Sequence, residues 1–217
     1  YLGGFGMDWY WVHTCTYDKP LRYSDFNIGS AVRTDAEAER YQNDWLGTAK
    51  EQLNKHIAQD CDGIITGLYE YHVCYHRYFP DKTRFIPYPI RLPQTSSINK
   101  TSNGKTLIFI GINRERSTYK GTDIMLRAAE DLERKYPDRM QLIKAESVPF
   151  AEYQKMMDGS DAIVDQLYSY TPSMNSLLAM SKGIICIGGG EPENYEIIHE
   201  TELRPIINVE PTYDSVY

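Results

Sequence analysis

The chain of 217 residues lacks an uninterrupted apolar run long enough to cross a membrane, which takes about 20 residues. We also find no segment with the charged and apolar regions of a signal peptide. Its four cysteines form no CxxC pair. Scattered cysteines predict reduced thiols and a cytoplasmic protein rather than a disulfide framework. These cysteines are Cys15, Cys61, Cys74 and Cys186.

Positive charge is also scarce in this chain. Lysine and arginine number 23 against 30 aspartates and glutamates, which gives a formal net charge of −7. Nucleic-acid binding needs a basic surface, so we expect no nucleic-acid partner. The excess of acidic residues gives no support for a broad membrane-binding face. A local basic patch would still allow peripheral contact with a membrane.

Two common nucleotide-binding motifs are missing. The loop GINRERSTYKG (111–121) has no GK[ST] ending, so the sequence does not support a Walker loop. No GxGxxG follows a predicted strand, which argues against a dinucleotide oxidoreductase. His72 and His76 lie four residues apart on a predicted helix, but no third metal ligand accompanies them. We therefore expect neither a bound metal nor a cofactor.

What the chain does contain is a regular alternation of apolar strands and helices after the polar segment RLPQTSSINKTSNG (91–104). This order predicts βαβ units and a parallel, doubly wound α/β sheet. Ligands of such sheets bind outside the carboxyl ends of the strands. The strands are predicted at 105–111, 139–145, 161–167, 183–189 and 204–209, with helices at 121–137, 150–161 and 171–183.

The first part of the chain shows the same order less completely. We predict one long helix over 35–59, then a strand at 63–67, a helix at 68–79 and a strand at 84–89. Residues 1–34 are rich in aromatic and turn residues and receive no assignment. The chain begins at Tyr1 in sequence that looks internal, so we expect a fragment of a longer protein. The predicted divisions are a partial N-terminal α/β domain (1–92), a linker (93–103) and a C-terminal Rossmann-like domain (104–217).

The segment TPSMNSLLAMSKG (171–183) predicts an anion site at the start of a helix. Pro172 suits the first helical position, which makes Thr171 the N-cap. Free backbone N–H groups at a helix N-terminus after a parallel strand favour phosphate. An ordinary capped helix without a ligand is the alternative. The further donors predicted here are Ser173, Met174 and Asn175.

A second predicted anion site is the loop that follows the strand at 105–111. Arg114, Arg116 and Lys120 cluster there behind Gly111, and arginine forks suit phosphate oxygens. The alternative is a solvated basic loop.

Three glycines follow the strand at 183–189 and open the segment GGGEPENYE (188–196). Glycine lets a backbone approach a ligand closely. Glu191 and Glu193 then supply acceptors for sugar or ribose hydroxyls. A tight turn with surface acids explains the segment equally well.

In combination these motifs resemble the nucleotide-sugar half of family 4 GT-B glycosyltransferases. That family reads roughly as G-R…K-G, then D…P-S-x-x-E-G-x-G-x-x-x-x-E-A-M-x-x-G-x-P-V-V, then G-G…P-E. The resemblance covers about residues 105–209, and DGIITG…TRFIPYPI (62–90) is similar to the end of the family's first domain. The matching positions are Gly111, Arg114 or Arg116, Lys120, Gly121, Asp161, Ala179, Met180, Gly183, Gly188 and Gly189.

The chain departs from this family at its two donor-handling glutamates. Tyr170 and Leu178 stand in their places. Leu178 cannot hydrogen-bond a ribose and is predicted to be a core residue, whereas Tyr170 offers a hydroxyl to the donor. The resemblance assigns the diphosphate to an arginine of the basic loop and to Lys120, and it places His13 near the reacting sugar.

The resemblance implies a GT-B glycosyltransferase that transfers a sugar from a nucleotide diphosphate sugar to an acceptor hydroxyl. The implied reaction retains configuration, needs no metal and serves glycan or polysaccharide biosynthesis, with a glycan or lipid-linked acceptor. Because both glutamates are missing, two alternatives stay open. They are a GT-B relative that binds a nucleotide sugar without transferring it, and a GT-B epimerase.

Overall fold

The computed structural model describes residues 1–92, 104–114 and 117–217. The described chain divides into two units, Tyr1–Tyr88 and Pro89–Tyr217. The predicted linker (93–103) lies outside the described residues, and so does Arg116 of the basic loop. The domain bounds 1–92 and 104–217 therefore stay predictions.

The first unit contains a parallel sheet in the order β1-β5-β6 and a small antiparallel sheet in the order β2-β3-β4. One turn of π-helix, Thr14–Asp18, follows the first helix. In chain order the elements are β1 (Leu2–Gly4), α1 (Trp9–His13), β2 (Tyr23–Ser24), β3 (Asn27–Ile28), β4 (Ala31–Val32), α2 (Ala36–Trp45), α3 (Ala49–Asp60), β5 (Ile64–Thr66), α4 (Tyr69–His76) and β6 (Thr83–Phe85).

The prediction of one continuous helix over 35–59 is wrong. The chain leaves the helical region at Leu46, which is extended, and Gly47 has a φ of +71°. Glycine adopts this left-handed conformation without steric cost, and no right-handed helix continues through it. The Glu51 side chain accepts the N–H of Gly47 at 2.7 Å and holds the corner between α2 and α3. Leu53 of α3 is 59% exposed.

Residues 1–34 supply much of the first unit's core. Asp8 caps α1 by accepting the N–H of Trp11 at 3.0 Å, as aspartate commonly does at this position. Trp9 and Tyr10 of α1 then pack with Ile64 of β5 and Tyr75 of α4 in one buried cluster. The aromatic residues that the sequence left unassigned therefore join the first strand to the rest of the unit.

The second unit is built on a five-stranded parallel sheet in the order β11-β10-β9-β7-β8. Its two halves diverge at β7, which confirms the predicted doubly wound α/β fold. The elements are β7 (Thr106–Ile112), α5 (Ser117–Lys120), α6 (Thr122–Lys135), β8 (Met140–Glu146), α7 (Phe150–Asp158), β9 (Ala162–Val164), α8 (Met174–Ser181), β10 (Ile185–Gly188), α9 (Pro192–Ile197), β11 (Ile206–Asn208) and α10 (Tyr213–Val216).

Helices cover both faces of this sheet. Phe109 and Ile163 point to the face that packs against α7 and α8, in a cluster with Met157 and Ala179. Their chain neighbours Ile110 and Val164 belong to the cluster on the other face, with residues of α6. Buried strands of parallel sheets are apolar on both faces for this reason. As a result, the carboxyl ends of the strands and the loops after them are left to form a site.

Within the ranges described, no helix is both long and apolar enough to cross a membrane.

Candidate functional site

A polar cleft opens at the carboxyl ends of β9 and β10, beside the start of α8. Its empty volume is about 230 Å³, with open solvent at the mouth included. This edge of a parallel sheet is where ligands of doubly wound folds bind. The lining residues are Asp165, Gln166, Ser169, Thr171, Pro172, Ser173, Ser176, Cys186, Ile187, Gly188, Gly189 and Ile206.

Hydrogen bonds between the loop after β9 and the end of β10 shape the cleft. The N–H of Asp165 donates to Ile187 at 2.9 Å, and the N–H of Gly189 donates to the carbonyl of Gln166 at 2.8 Å. The Gln166 side-chain amide then donates to Ser173 Oγ at 2.9 Å. Strand, loop and helix start are therefore fixed to one another.

Two of the three predicted loop glycines are required by close backbone packing. A Cβ at Gly188 would lie 2.7 Å from the carbonyl oxygen of Asp165, and one at Gly189 would lie 2.2 Å from that of Ser169. Real Cβ atoms do not approach this closely. The glycines thus let the loop after β9 lie directly against the end of β10, which forms one wall of the cleft.

The predicted start of the helix at 171–183 is wrong by two residues. Ser173, not Thr171, is the N-cap, and α8 begins at Met174 instead of Pro172. Ser173 is extended, with a ψ of −176°, so the helical conformation begins only after it. The first turn leaves the N–H groups of Met174, Asn175 and Ser176 without intrahelical partners.

An acidic side chain already stands at the start of α8. The Ser176 hydroxyl donates a hydrogen bond to Asp165 Oδ2. This hydrogen bond joins the loop after β9 to the first turn of α8. Sequence reasoning missed Asp165, although an acid directly after the apolar strand AIV was a signal that could have found it.

Cys186 of β10 lines the same cleft as a neutral thiol. Burial, together with the charge of Asp165, raises the pKa of Cys186 to about 12. The thiolate form needed for nucleophilic chemistry is therefore negligible near neutral pH.

The remaining residues predicted at α8 differ in exposure. Tyr170 and Thr171 are both only 2% exposed, whereas Met174 at the helix start is 48% exposed. Leu178 packs against the apolar cluster of α7 and α8, as expected for a core residue. Tyr170 therefore lies within the protein interior and does not present its ring at the surface.

Arg114 and Lys120 of the basic loop follow the carboxyl end of β7, and neither lines the cleft. Arg114 pairs with Glu146 at the end of β8, and its side chain is 81% exposed. The carbonyl of Lys120 accepts the N–H of Leu167 at 2.9 Å, which ties the end of α5 to the loop after β9. At Gly111 a Cβ would lie 2.6 Å from the Tyr153 hydroxyl, so glycine there accommodates α7.

Glu191 and Glu193 follow the glycines of β10. Glu191 is the N-cap residue of α9 and Glu193 lies in its first turn, where carboxylates are stabilised by the helix dipole. Both side chains are half-buried, and neither lines the cleft.

His13, in the first unit, is the last residue of α1. Its ring stacks on Trp9 with centroids 4.4 Å apart, and Tyr78 Oη lies 3.4 Å from its Nδ1. Burial lowers the pKa of His13 below its ordinary value of 6.5. The imidazole is therefore neutral at physiological pH.

Among the residues that the structure describes, no three His, Cys, Asp or Glu side chains lie close enough together to hold a metal ion.

No protein-family model matches the chain, and no curated protein does. Among solved structures it is similar to TarM of S. aureus, a variant of which was solved with fondaparinux, α-GlcNAc-glycerol and UDP. The TM-score is 0.52 at 11% sequence identity, over 90% of this chain and 40% of that chain. The chain thus spans about two fifths of this neighbour's length, and the likeness shows an α/β fold of GT-B type.

The chain is also similar to a structure of accessory secretory proteins 1, 2 and 3 in Streptococcus pneumoniae. That match has 11% identity and a TM-score of 0.37, over 74% of this chain and 40% of the other. A TM-score this low does not support a conclusion about the fold.

Proposed function

We propose that the chain belongs to a glycosyltransferase that moves a sugar from a nucleotide diphosphate sugar to an acceptor hydroxyl. The observation that carries the proposal is the polar cleft at the carboxyl ends of β9 and β10. It lies at the edge of the sheet where doubly wound folds bind nucleotides. Support also comes from the fold neighbour, which was solved with UDP and a glycan.

The proposed chemistry depends on stabilising the leaving group. The acceptor hydroxyl oxygen bonds to the anomeric carbon on the face from which the diphosphate departs, as the bond from that carbon to the diphosphate breaks, and the hydroxyl proton passes to the departing phosphate oxygen. Negative charge then grows on the diphosphate, and preorganised cations and N–H donors offset it. We assign this role to Lys120 and to an arginine of the basic loop, at the carboxyl end of β7. His13 is proposed to face the reacting sugar.

In this proposal the reaction retains configuration, uses no metal, and builds a glycan or polysaccharide on a glycan or lipid-linked acceptor. These details rest on the family resemblance of segments 105–209 and 62–90.

A second candidate is a nucleotide-sugar-binding relative without transferase activity, or an epimerase. The specific observation that favours it is Leu178, which packs in the core where the family has a ribose-binding glutamate. Tyr170, in place of the other glutamate, is likewise buried.

The first experiment is a thermal-shift screen against UDP- and GDP-sugars. A ligand at 100 times its dissociation constant adds about 2.7 kcal/mol of stability, so a specific donor stands out from the panel. Titration calorimetry and a product assay on the best donor follow. Transfer to an added acceptor supports the transferase, binding without turnover supports the binding relative, and conversion without acceptor supports the epimerase. No binding of any nucleotide sugar contradicts all three.

A further inference from the structure

We propose that His72 and His76 of α4 bind a divalent transition-metal ion, such as Cu²⁺, Ni²⁺ or Zn²⁺, through one ring nitrogen of each imidazole. The site lies in the first unit and does not depend on the proposed transfer reaction. Imidazole suits these three ions, whereas Mg²⁺ and Ca²⁺ prefer oxygen ligands. Spacing alone predicted no metal there, and the structure adds the placement and the hydrogen bonding of the two rings.

The two rings lie side by side at the end of α4. Residues four apart on a helix are neighbours on its surface, and the ring centroids of His72 and His76 are 5.0 Å apart with the planes inclined by 30°. Two imidazoles that share a tetrahedral ion, with metal–nitrogen bonds of about 2.0–2.1 Å, have their centroids roughly 5 Å apart. The observed separation is therefore the one that a shared ion requires.

Hydrogen bonding places the lone pair of the neutral His72 ring on Nε2. Thr66 Oγ1 lies 3.0 Å from His72 Nδ1 and donates to the carbonyl of Arg84 at 3.4 Å. Since a carbonyl only accepts and the hydroxyl has one proton, Nδ1 is the donor to Thr66. Metal-binding histidines have the same arrangement, in which the nitrogen away from the metal donates to a fixed oxygen and orients the ring.

The surroundings of the pair also suit a cation. The helix α4 ends at His76, and the last turn of a helix carries partial negative charge that stabilises cations. His72 is half-buried and its ring packs edge-on against Phe85, with centroids 6.0 Å apart. His76 is exposed. One ligand is therefore held in place by the fold, and the other can adjust to the ion from the solvent side.

Two protein ligands make an open site. Among residues 1–92, 104–114 and 117–217 no third His, Cys, Asp or Glu joins the pair, so water occupies the other positions of the bound ion. Closed structural zinc sites use four protein ligands. An ion that binds the folded chain stabilises it by mass action, and this ion would join the two histidines across the last turn of α4.

Titration calorimetry with the metal salts alone tests the site on the intact chain, treated with a chelator and carrying no histidine tag. Affinity should fall in the order Cu²⁺, Ni²⁺, Co²⁺, Zn²⁺ should bind, and Mg²⁺ should not. His72→Ala and His76→Ala should each weaken Zn²⁺ binding by at least the roughly 10- to 100-fold that loss of an outer partner costs. The matched control is His56→Ala, at an exposed histidine of α3, which should bind Zn²⁺ as wild type does.

Thr66→Val separates a built site from a chance pair of histidines. The variant keeps the shape of the side chain and removes the oxygen that orients His72, so Zn²⁺ binding should weaken about tenfold. Zn²⁺ should also raise the melting temperature of wild type and leave that of His76→Ala unchanged. Circular dichroism checks that each variant is folded. Because His76 is exposed, His76→Ala tests the site even where Thr66→Val does not fold.

Three results would overturn the proposal. The first is no binding of Cu²⁺ or Zn²⁺ to wild type at millimolar concentration. The second is binding that both His72→Ala and His76→Ala retain at full strength, which would place the ion elsewhere on the chain. The third is a folded Thr66→Val that binds Zn²⁺ as wild type does. Nucleotide-sugar binding is measured separately, so each of these results leaves the proposed function standing, and its failure leaves the metal site standing.

Discussion

The Tyr75 hydroxyl donates a hydrogen bond of 2.7 Å to Asp8 Oδ2, while Asp8 Oδ1 accepts the N–H of Trp11 at 3.0 Å. Asp8 thus joins α1 to α4 at the carboxyl end of β1. Burial outweighs both hydrogen bonds and raises the pKa of Asp8 from 3.8 to about 6. The folded protein therefore favours the protonated acid more than the unfolded chain does.

This raised pKa predicts that Asp8 opposes folding above neutrality. Its contribution to stability is complete below pH 3.8 and is lost as the pH rises through about 6. Asp8→Asn keeps an oxygen that accepts the Trp11 N–H, places an NH2 that can donate to the Tyr75 hydroxyl oxygen, and cannot ionise. We expect the free energy of unfolding of the variant to rise relative to that of wild type by up to about 3 kcal/mol between pH 4 and pH 7, since one pKa unit is worth about 1.36 kcal/mol.

Urea unfolding across this pH range measures the effect. All three tryptophans of the chain, Trp9, Trp11 and Trp45, lie in the first unit, so their fluorescence follows its unfolding. A difference between variant and wild type that does not change with pH would contradict the shifted pKa of Asp8.

His72 should show the opposite pH dependence. Burial, with a smaller effect of His76, lowers the pKa of His72 from 6.5 to about 4, and Thr66 Oγ1 lies 3.0 Å from its Nδ1. Stability contributed by the neutral ring is present above pH 6.5 and is lost as the pH falls toward 4. NMR titration of the imidazole protons of His72 should give a midpoint near 4. A midpoint at or above 6.5 would refute the burial argument.

Gly189→Ala should destabilise the second unit by about 1–3 kcal/mol, the usual cost of overpacking. The new Cβ would lie 2.2 Å from the Ser169 carbonyl oxygen and push the two walls of the cleft apart. The matched control is Gly159→Ala, where nothing lies within 4 Å of the added carbon and φ is −90°. Urea unfolding followed by circular dichroism should show a clear loss for the first variant and almost none for the second.

Lys120→Ala should lower sugar transfer by at least about a hundredfold, because one donor to a developing oxyanion is worth roughly 2.7–4 kcal/mol. The control is Lys155→Ala, at an exposed lysine on α7, and it should leave sugar transfer unchanged. The measurement is kcat/KM with the donor found in the screen. Near wild-type turnover of Lys120→Ala would remove Lys120 from the site.

The second unit could be predicted from sequence because its inner strands contain apolar runs. The strand β9 (AIV) is buried along its whole length between helices on both faces, and this burial enforces the apolar pattern that the prediction used. The helix bounds were less accurate: α8 begins later than predicted because Ser173 is extended and takes the cap position itself.

The first unit was harder because its elements are short. The strands β2, β3 and β4 have two residues each, too few for any periodicity to appear. The corner at Gly47 interrupts a helical pattern that is otherwise continuous across it. Asp165 escaped notice for a different reason: its partner Ser176 is eleven residues away, and only the fold brings the two together.

The strand order of the second unit also bears on how the chain folds. The strand β7 lies inside the sheet, between β9 and β8, yet it is the first of these five strands in chain order. It can pair with β8 only once the α6 segment between them has been made, and with β9 only once β8 and α7 have been made as well. Parallel pairing of this kind closes long loops, which slows folding and leaves strand edges exposed meanwhile. Newly made β7 thus has two unpaired strand edges until the β7–α6–β8 unit forms, and rapid formation of that unit protects it from aggregation.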